Sequence, residues 1–156
     1  MVDEGQGIEC GLAVVHPWLC DAMGHLTTRH YLGMFDDASY QLFLTIGYDP
    51  KLAASEHWGW ADVRHEIDYR SELAAGAVVR VIGRITALGR TSLAAEFSLF
   101  DRADGRLCAQ LVARTVCFDL RARKARPLPD AVVAKSLALF ELDAEATSSG
   151  PRLNLM

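Results

Sequence analysis

The chain has 156 residues, 51% of them hydrophobic and 23% charged, with a formal net charge of −4. That composition is one of a globular protein rather than a disordered chain, and the length suits one domain able to bury roughly two-thirds of its unfolded surface. No basic cluster exceeds Arg121–Arg126 and no apolar run approaches the ~20 residues that cross a bilayer, so neither nucleic acid nor membrane is expected as a partner.

Residues Ile8–Val15 read as a first strand that stops at His16-Pro17, since proline cannot continue a sheet interior. A loop over Trp18–Leu26 follows. Tyr31, Leu32, Phe35, Ala38, Leu42, Phe43 and Ile46 then recur at steps of three and four. That spacing predicts a helix over Thr28–Ile46 with a wide apolar face, capped by Thr27 or Thr28, stopped at Gly47 and buried along much of its length. Tyr48–His57, containing Asp49-Pro50, reads as a loop. From Val63 the period becomes two: Val63, His65, Ile67 and Tyr69 alternate with Arg64, Glu66, Asp68 and Arg70, a half-buried strand.

Val78–Leu88 is the next strand, and Gly89-Arg90 turns tightly into a strand over Thr91–Asp101. Asp104-Gly105 is a hairpin signal leading into Leu107–Leu120. The Arg121–Arg126 stretch reads as a solvated turn, Pro127 and Pro129 end the sheet, and Pro129-Asp130 opens a short helix over Ala131–Leu142. Residues 143–156 read as a mobile tail outside a single domain of residues 1–142. One long apolar helix and one antiparallel sheet make an α+β two-layer arrangement, whose topology the pattern alone leaves open.

Cys10, Cys20, Cys108 and Cys117 are far apart, with no C-x-x-C pair, and His16, His25 and His30 have no zinc-site spacing. Cys108 and Cys117 fall in apolar strand-like runs, where a free thiol serves as a small buried hydrophobe. There is no G-x-S-x-G elbow and no glycine-rich phosphate loop. Neither metal nor cofactor is expected. The N-terminal Met-Val-Asp-Glu-Gly lacks the apolar run of a signal peptide, and a reduced, cytoplasmic protein is the expectation.

The stretch Asp21-Ala-Met-Gly24-His25-Leu-Thr27-Thr28-Arg-His-Tyr31, running into Leu32-Gly-Met-Phe35-Asp-Asp-Ala38, places a carboxylate, a glycine and an imidazole just before a helix start. Such a start offers unpaired N–H groups and the positive end of the helix dipole. A carboxylate beside them can attack, or direct water at, a carbonyl whose oxygen the N–H groups hold. The stretch resembles the active-site segment of hotdog-fold acyl-CoA thioesterases of the 4-hydroxybenzoyl-CoA thioesterase type, whose pattern runs roughly D-x-x-G-H-x-N-N-x-x-Y-(aliphatic)-x-x-F-(acidic)-(acidic)-A. His65–Tyr69 followed by Glu72-Leu-Ala-Ala-Gly76, then Leu88–Leu93, and Leu128-Pro129-Asp130 after Cys117-Phe-Asp-Leu, are similar to later segments of the family, so the resemblance runs from the first strand to Pro129. It departs at Thr27-Thr28, where two asparagines are common, and at Gly76-Ala77, where Gly-Asp is common.

The resemblance implies a hotdog fold, one antiparallel sheet of five to six strands wrapped round a long central helix. It also implies hydrolysis of an acyl-CoA substrate, and a homodimer, or a homotetramer, in which the strand around Val63–Tyr69 pairs with its copy. Asp21 would be nucleophile or general base, and His25 would orient water or hydrogen-bond the thioester. The Thr28 backbone N–H would hold the oxyanion, Gly24 would allow close approach of substrate, and Tyr31 would wall the pocket. Each has a plainer reading: a loop aspartate commonly stabilises its own turn, a loop histidine lies at the surface, and a helix tyrosine packs. Trp58 and Trp60 could line an acyl pocket or simply pack, and Arg90, like Arg64, could meet coenzyme A phosphates or be a solvated charge.

Two rivals remain. Enoyl-CoA hydratases and dehydratases of this fold use D-x-N-P-(I/L)-H, with Asp and His five apart, whereas Asp21 and His25 are four apart with no intervening proline. A non-catalytic acyl-CoA-binding regulator would need a DNA-binding segment, and there is neither a basic arm nor spare length for one. The acyl group is left open.

Overall fold

A computed structural model describes Val2 and residues 5–142. The expected mobile tail over residues 143–156 lies outside them. The described strands are β1 (Ile8–Val14), β2 (Trp58–Tyr69), β3 (Val78–Leu88), β4 (Ser92–Asp101), β5 (Leu107–Asp119) and β6 (Lys124–Ala125), and the helices are α1 (Thr28–Thr45), α2 (Pro50–Glu56) and α3 (Asp130–Leu139). One six-stranded sheet runs in the order β1-β3-β4-β5-β2, with β6 on β5. β1 pairs with β3 antiparallel from Ile8 opposite Gly83 to Val14 opposite Val78. β5 and β2 also run antiparallel, since Arg70 N–H donates to Cys108 C=O at one end and Leu120 N–H to His57 C=O at the other, both at 2.8 Å.

Two compact units divide the described residues, one of Val2 and residues 5–42, 66–84 and 96–111, the other of residues 43–65, 85–95 and 112–142. In the first, Tyr31, Phe35, Ala38 and Leu42 of α1 are each at most 4% exposed, the face expected from their spacing. Phe35 meets the Phe97 ring of β4 at 6.4 Å, and Tyr31 meets Tyr69 edge-on at 5.2 Å. Leu32, expected on the same apolar face, is 37% exposed. Val2, Ile82 and Phe100 form a small separate cluster against Leu107.

In the second unit α1 ends as anticipated at Gly47, with φ at +98°, a backbone angle only glycine adopts freely. Gly47 N–H donates to Leu44 C=O and Tyr48 N–H to Phe43 C=O, closing the last turn. Within the expected loop over Tyr48–His57 lies the helix α2. Asp49 is its N-cap, accepting from the Lys51 and Leu52 N–H groups at 2.9 and 3.2 Å, and Pro50 occupies the first helical position. β6, not anticipated, is a two-residue pairing within the basic Arg121–Arg126 stretch: Phe118 opposite Ala125 and Asp119 opposite Lys124.

Burial grades the sheet. β3 and β4 bury most of both faces, whereas β2, at the edge of the described sheet, has only Val63 and Ile67 half-buried among its last seven residues. No described helix is long and apolar enough to cross a membrane.

Candidate active site

The loop between β1 and α1 begins with a short 3-10 turn, Pro17–Leu19, on which the Trp18 ring stacks against His16 at 4.3 Å. Asp21 follows and is exposed. Its Oδ1 accepts from Met23 N–H at 2.9 Å and His25 N–H at 3.2 Å, while its own N–H donates to His25 C=O at 2.8 Å. The plain reading of a loop aspartate is thus met by one oxygen. No described residue hydrogen-bonds Oδ2. Gly24 takes φ +79° at the apex, where a Cβ would meet nothing within 4 Å, so glycine is there for its backbone angle.

His25 and Leu26 return the loop to the body of the unit. His25 bridges to Ala74, Leu26 N–H donates to Leu73 C=O at 2.7 Å, and Leu26 is only 4% exposed. The His25 ring is 31% exposed, with Nδ1 3.4 Å from Glu72 Oε2. Thr27 N–H donates to Leu19 C=O, and Thr27 C=O accepts from His30 N–H, so Thr27 precedes the helix and Thr28 is its first residue. Among the described residues no backbone acceptor outside the helix takes the Thr28 N–H, and a first helical residue has none inside it. Asp21, Gly24, His25 and Thr28 therefore lie within one eight-residue span before and at the start of α1.

Tyr31, one turn further on, is 4% exposed. Burial, and after it the nearby Cys108 and Tyr69, raise its hydroxyl pKa, so it stays protonated at neutral pH.

Trp58, Trp60 and Arg90 belong to the second unit. Trp58 and Trp60 meet edge-on at 5.3 Å, and both pack on Tyr48, at 5.5 and 5.8 Å; Phe43 covers Trp60 at 4.8 Å. Arg126 lies over Trp58 at 5.5 Å. Arg90 is exposed, and its carbonyl accepts from Leu128 N–H. His65 sits 3.7 Å from Asp62, whose other oxygen accepts from the buried Thr115 hydroxyl at 2.7 Å. Among the described residues no group of three or more His, Cys, Asp or Glu is placed to hold a metal ion.

Glu72 was not singled out from the sequence as a site residue. It is 47 positions from His25, and no periodicity links the two.

A family model described as the thioesterase-like superfamily matches residues 15–136. No curated protein matches the chain. Among solved structures, a 1,4-dihydroxy-2-naphthoyl-CoA thioesterase from Synechocystis is 19% identical and superposes with a TM-score of 0.73 over 82% of this chain and 94% of its own. A Staphylococcus aureus protein in complex with CoA is 16% identical, with a TM-score of 0.79 over 96% and 94%. A Thermus thermophilus thioesterase complexed with coenzyme A and Zn is 26% identical, with a TM-score of 0.73 over 88% and 96%. The fold they share with this chain is the α+β hotdog fold expected from the sequence.

Proposed function

The chain belongs to the thioesterase-like superfamily and is a thioester hydrolase, and from that premise we propose that it cleaves an acyl-CoA thioester to a carboxylic acid and free coenzyme A. The observation that carries this reading is the loop before α1, where an exposed carboxylate precedes a helix start, and among the described residues neither its Oδ2 nor the first helix N–H has a hydrogen-bond partner. In it, Asp21 attacks the thioester carbonyl or takes a proton from the attacking water. The oxygen that gains charge is met by the Thr28 N–H and the helix dipole. His25 assists from the same loop. Coenzyme A enters as part of the substrate, and its presence in two solved relatives supports this choice of thiol. The test is release of free thiol from aromatic, short, branched and long acyl-CoAs. Thiol from at least one class is expected; none from any would overturn the reading, and so separate it from hydration or simple binding.

We further propose that the working unit is at least a homodimer. β2 ends the described sheet and is largely exposed, and an open edge invites pairing. Pairing of Val63–Tyr69 with its copy about a two-fold axis would close it. Sedimentation at assay concentration should give twice the chain mass or more. An active monomer would contradict it.

A further inference from the structure

Two sets of contacts place Glu72. On one side the Ser71–Ala74 segment runs beside the candidate catalytic loop: His25 bridges to Ala74, and Leu26 N–H donates to Leu73 C=O. This brings Glu72 Oε2 to 3.4 Å from His25 Nδ1. On the other side Arg106 donates to Glu72 C=O at 3.1 Å and to the Ser71 hydroxyl. The guanidinium is itself held by Asp101 and Asp104, each at 3.4 Å. The His25 backbone is fixed as well, since its N–H and C=O are both bonded to Asp21. No described group other than Glu72 contacts the ring nitrogens, so Nε2 is uncommitted.

We propose that Glu72 is a positioning residue that sets the tautomer of His25. A carboxylate oxygen 3.4 Å from Nδ1 favours the neutral-ring tautomer that carries its proton there as Nδ1–H, which leaves the lone pair on Nε2. An unassisted histidine side chain favours the opposite tautomer, with the proton on Nε2. With Glu72 in place, Nε2 accepts a hydrogen bond from water and has none to give to a thioester carbonyl. Of the two roles open to His25, holding the attacking water is therefore the one this geometry selects. The water and the thioester come from the thioesterase reading; the tautomer does not depend on it.

The effect is a bias and not a lock. The contact is longer than a strong hydrogen bond, and Glu72 is 70% exposed, so its charge is screened. A loss of roughly tenfold in kcat is expected on removing it, the lower end of what outer partners of a metal-bound imidazole contribute.

Long-range proton–nitrogen NMR of the full chain at a pH of about 8, above the ordinary histidine range, reads the tautomer directly. His25, assigned by loss of its signals in His25→Ala, should show protonated Nδ1 in the wild type. It should revert towards protonated Nε2 in Glu72→Ala and stay in place in Glu72→Gln, whose amide oxygen still accepts. On any acyl-CoA that is turned over, Glu72→Ala should lower kcat about tenfold with KM little changed. Glu72→Gln should recover most of the loss, and Glu72→Ala should cost nothing further in a His25→Ala background. A wild-type ring protonated on Nε2, a spectrum unmoved by Glu72→Ala, or a full additional loss in the His25→Ala background would each overturn the role of Glu72. Absence of thiol release from the wild type would instead overturn the thioesterase reading, with the spectrum still deciding the tautomer.

Discussion

In the loop between β1 and α1, Asp21 is exposed and closes its turn through bonds from two backbone N–H groups to a single carboxylate oxygen. In the second unit Trp58 is 4% exposed, and the rings of Phe43, Tyr48, Trp58 and Trp60 lie 4.8 to 5.8 Å apart. Directional hydrogen bonds hold the exposed turn, and among the described residues they leave one carboxylate oxygen and one helix N–H to spare. Burial holds the cluster. Its only spare polar atoms are the Trp58 and Trp60 indole nitrogens, buried with no partner among the described residues. The contrast teaches where chemistry and stability are kept apart: changes in the loop should alter turnover at nearly constant stability, and changes in the cluster the reverse.

The largest effect should come from Asp21→Asn. The amide oxygen can still accept from Met23 and His25, so the turn survives while charge and basicity go. Turnover should fall roughly 10²–10⁴-fold. The melting midpoint should move by about 2 °C or less. Turnover within about threefold of wild type would remove Asp21 as base or nucleophile.

Thr28→Pro comes next. Proline is tolerated at a first helical position, so this change deletes the N–H while sparing the helix. A loss of roughly 10²–10³-fold is expected, against near-normal activity for Thr28→Ser. A folded Thr28→Pro protein with full turnover would place the oxyanion donor elsewhere.

Trp58→Ala tests the other side of the contrast. Removing a buried indole should cost about 3–5 kcal/mol, read by denaturant unfolding. Turnover measured well below the new midpoint should stay within a few-fold of wild type. Normal stability with lost turnover would move Trp58 into the substrate site and break the contrast.

The smallest effect concerns thiols, where burial again silences a group. Burial pushes the Cys10 thiol up to about 12 and Cys117 to about 11, and raises Cys108, while Cys20 is partly exposed. Thiolate is the reactive form, so at pH 8 a thiol reagent should label one cysteine per folded chain and all four in denaturant. Folding raises these values above the ordinary 9.0, so the protonated thiols favour the native state below that pH. That advantage should fade as pH rises from 9 towards 12.

Much of the architecture was legible because it is written at short range. Tyr31, Phe35, Ala38 and Leu42 mark the buried face of α1 by helical spacing, with Ile46 buried just past its last residue, Gly47 marks its end, and Val78–Leu88 matches β3 residue for residue. α2 lies in a stretch that reads as a loop, although its signal is present: Asp49-Pro50 is an N-cap followed by a first helical residue, and seven residues are too few for a periodicity to show the helix. β6 is two residues long and has no pattern of its own.

The sequence by itself determined the local chemistry of the candidate site. Asp21, Gly24 and His25 are four residues apart end to end, and turn and cap rules act over that distance. Tertiary structure decided the partners. Among the described residues it left Asp21 Oδ2 without one, placed Glu72 beside His25, clamped the Glu72 backbone with Arg106, and put β2 at the edge of the sheet. Contacts between segments tens of residues apart depend on strand pairing and packing, and a pairing of that kind leaves no periodic mark on either segment.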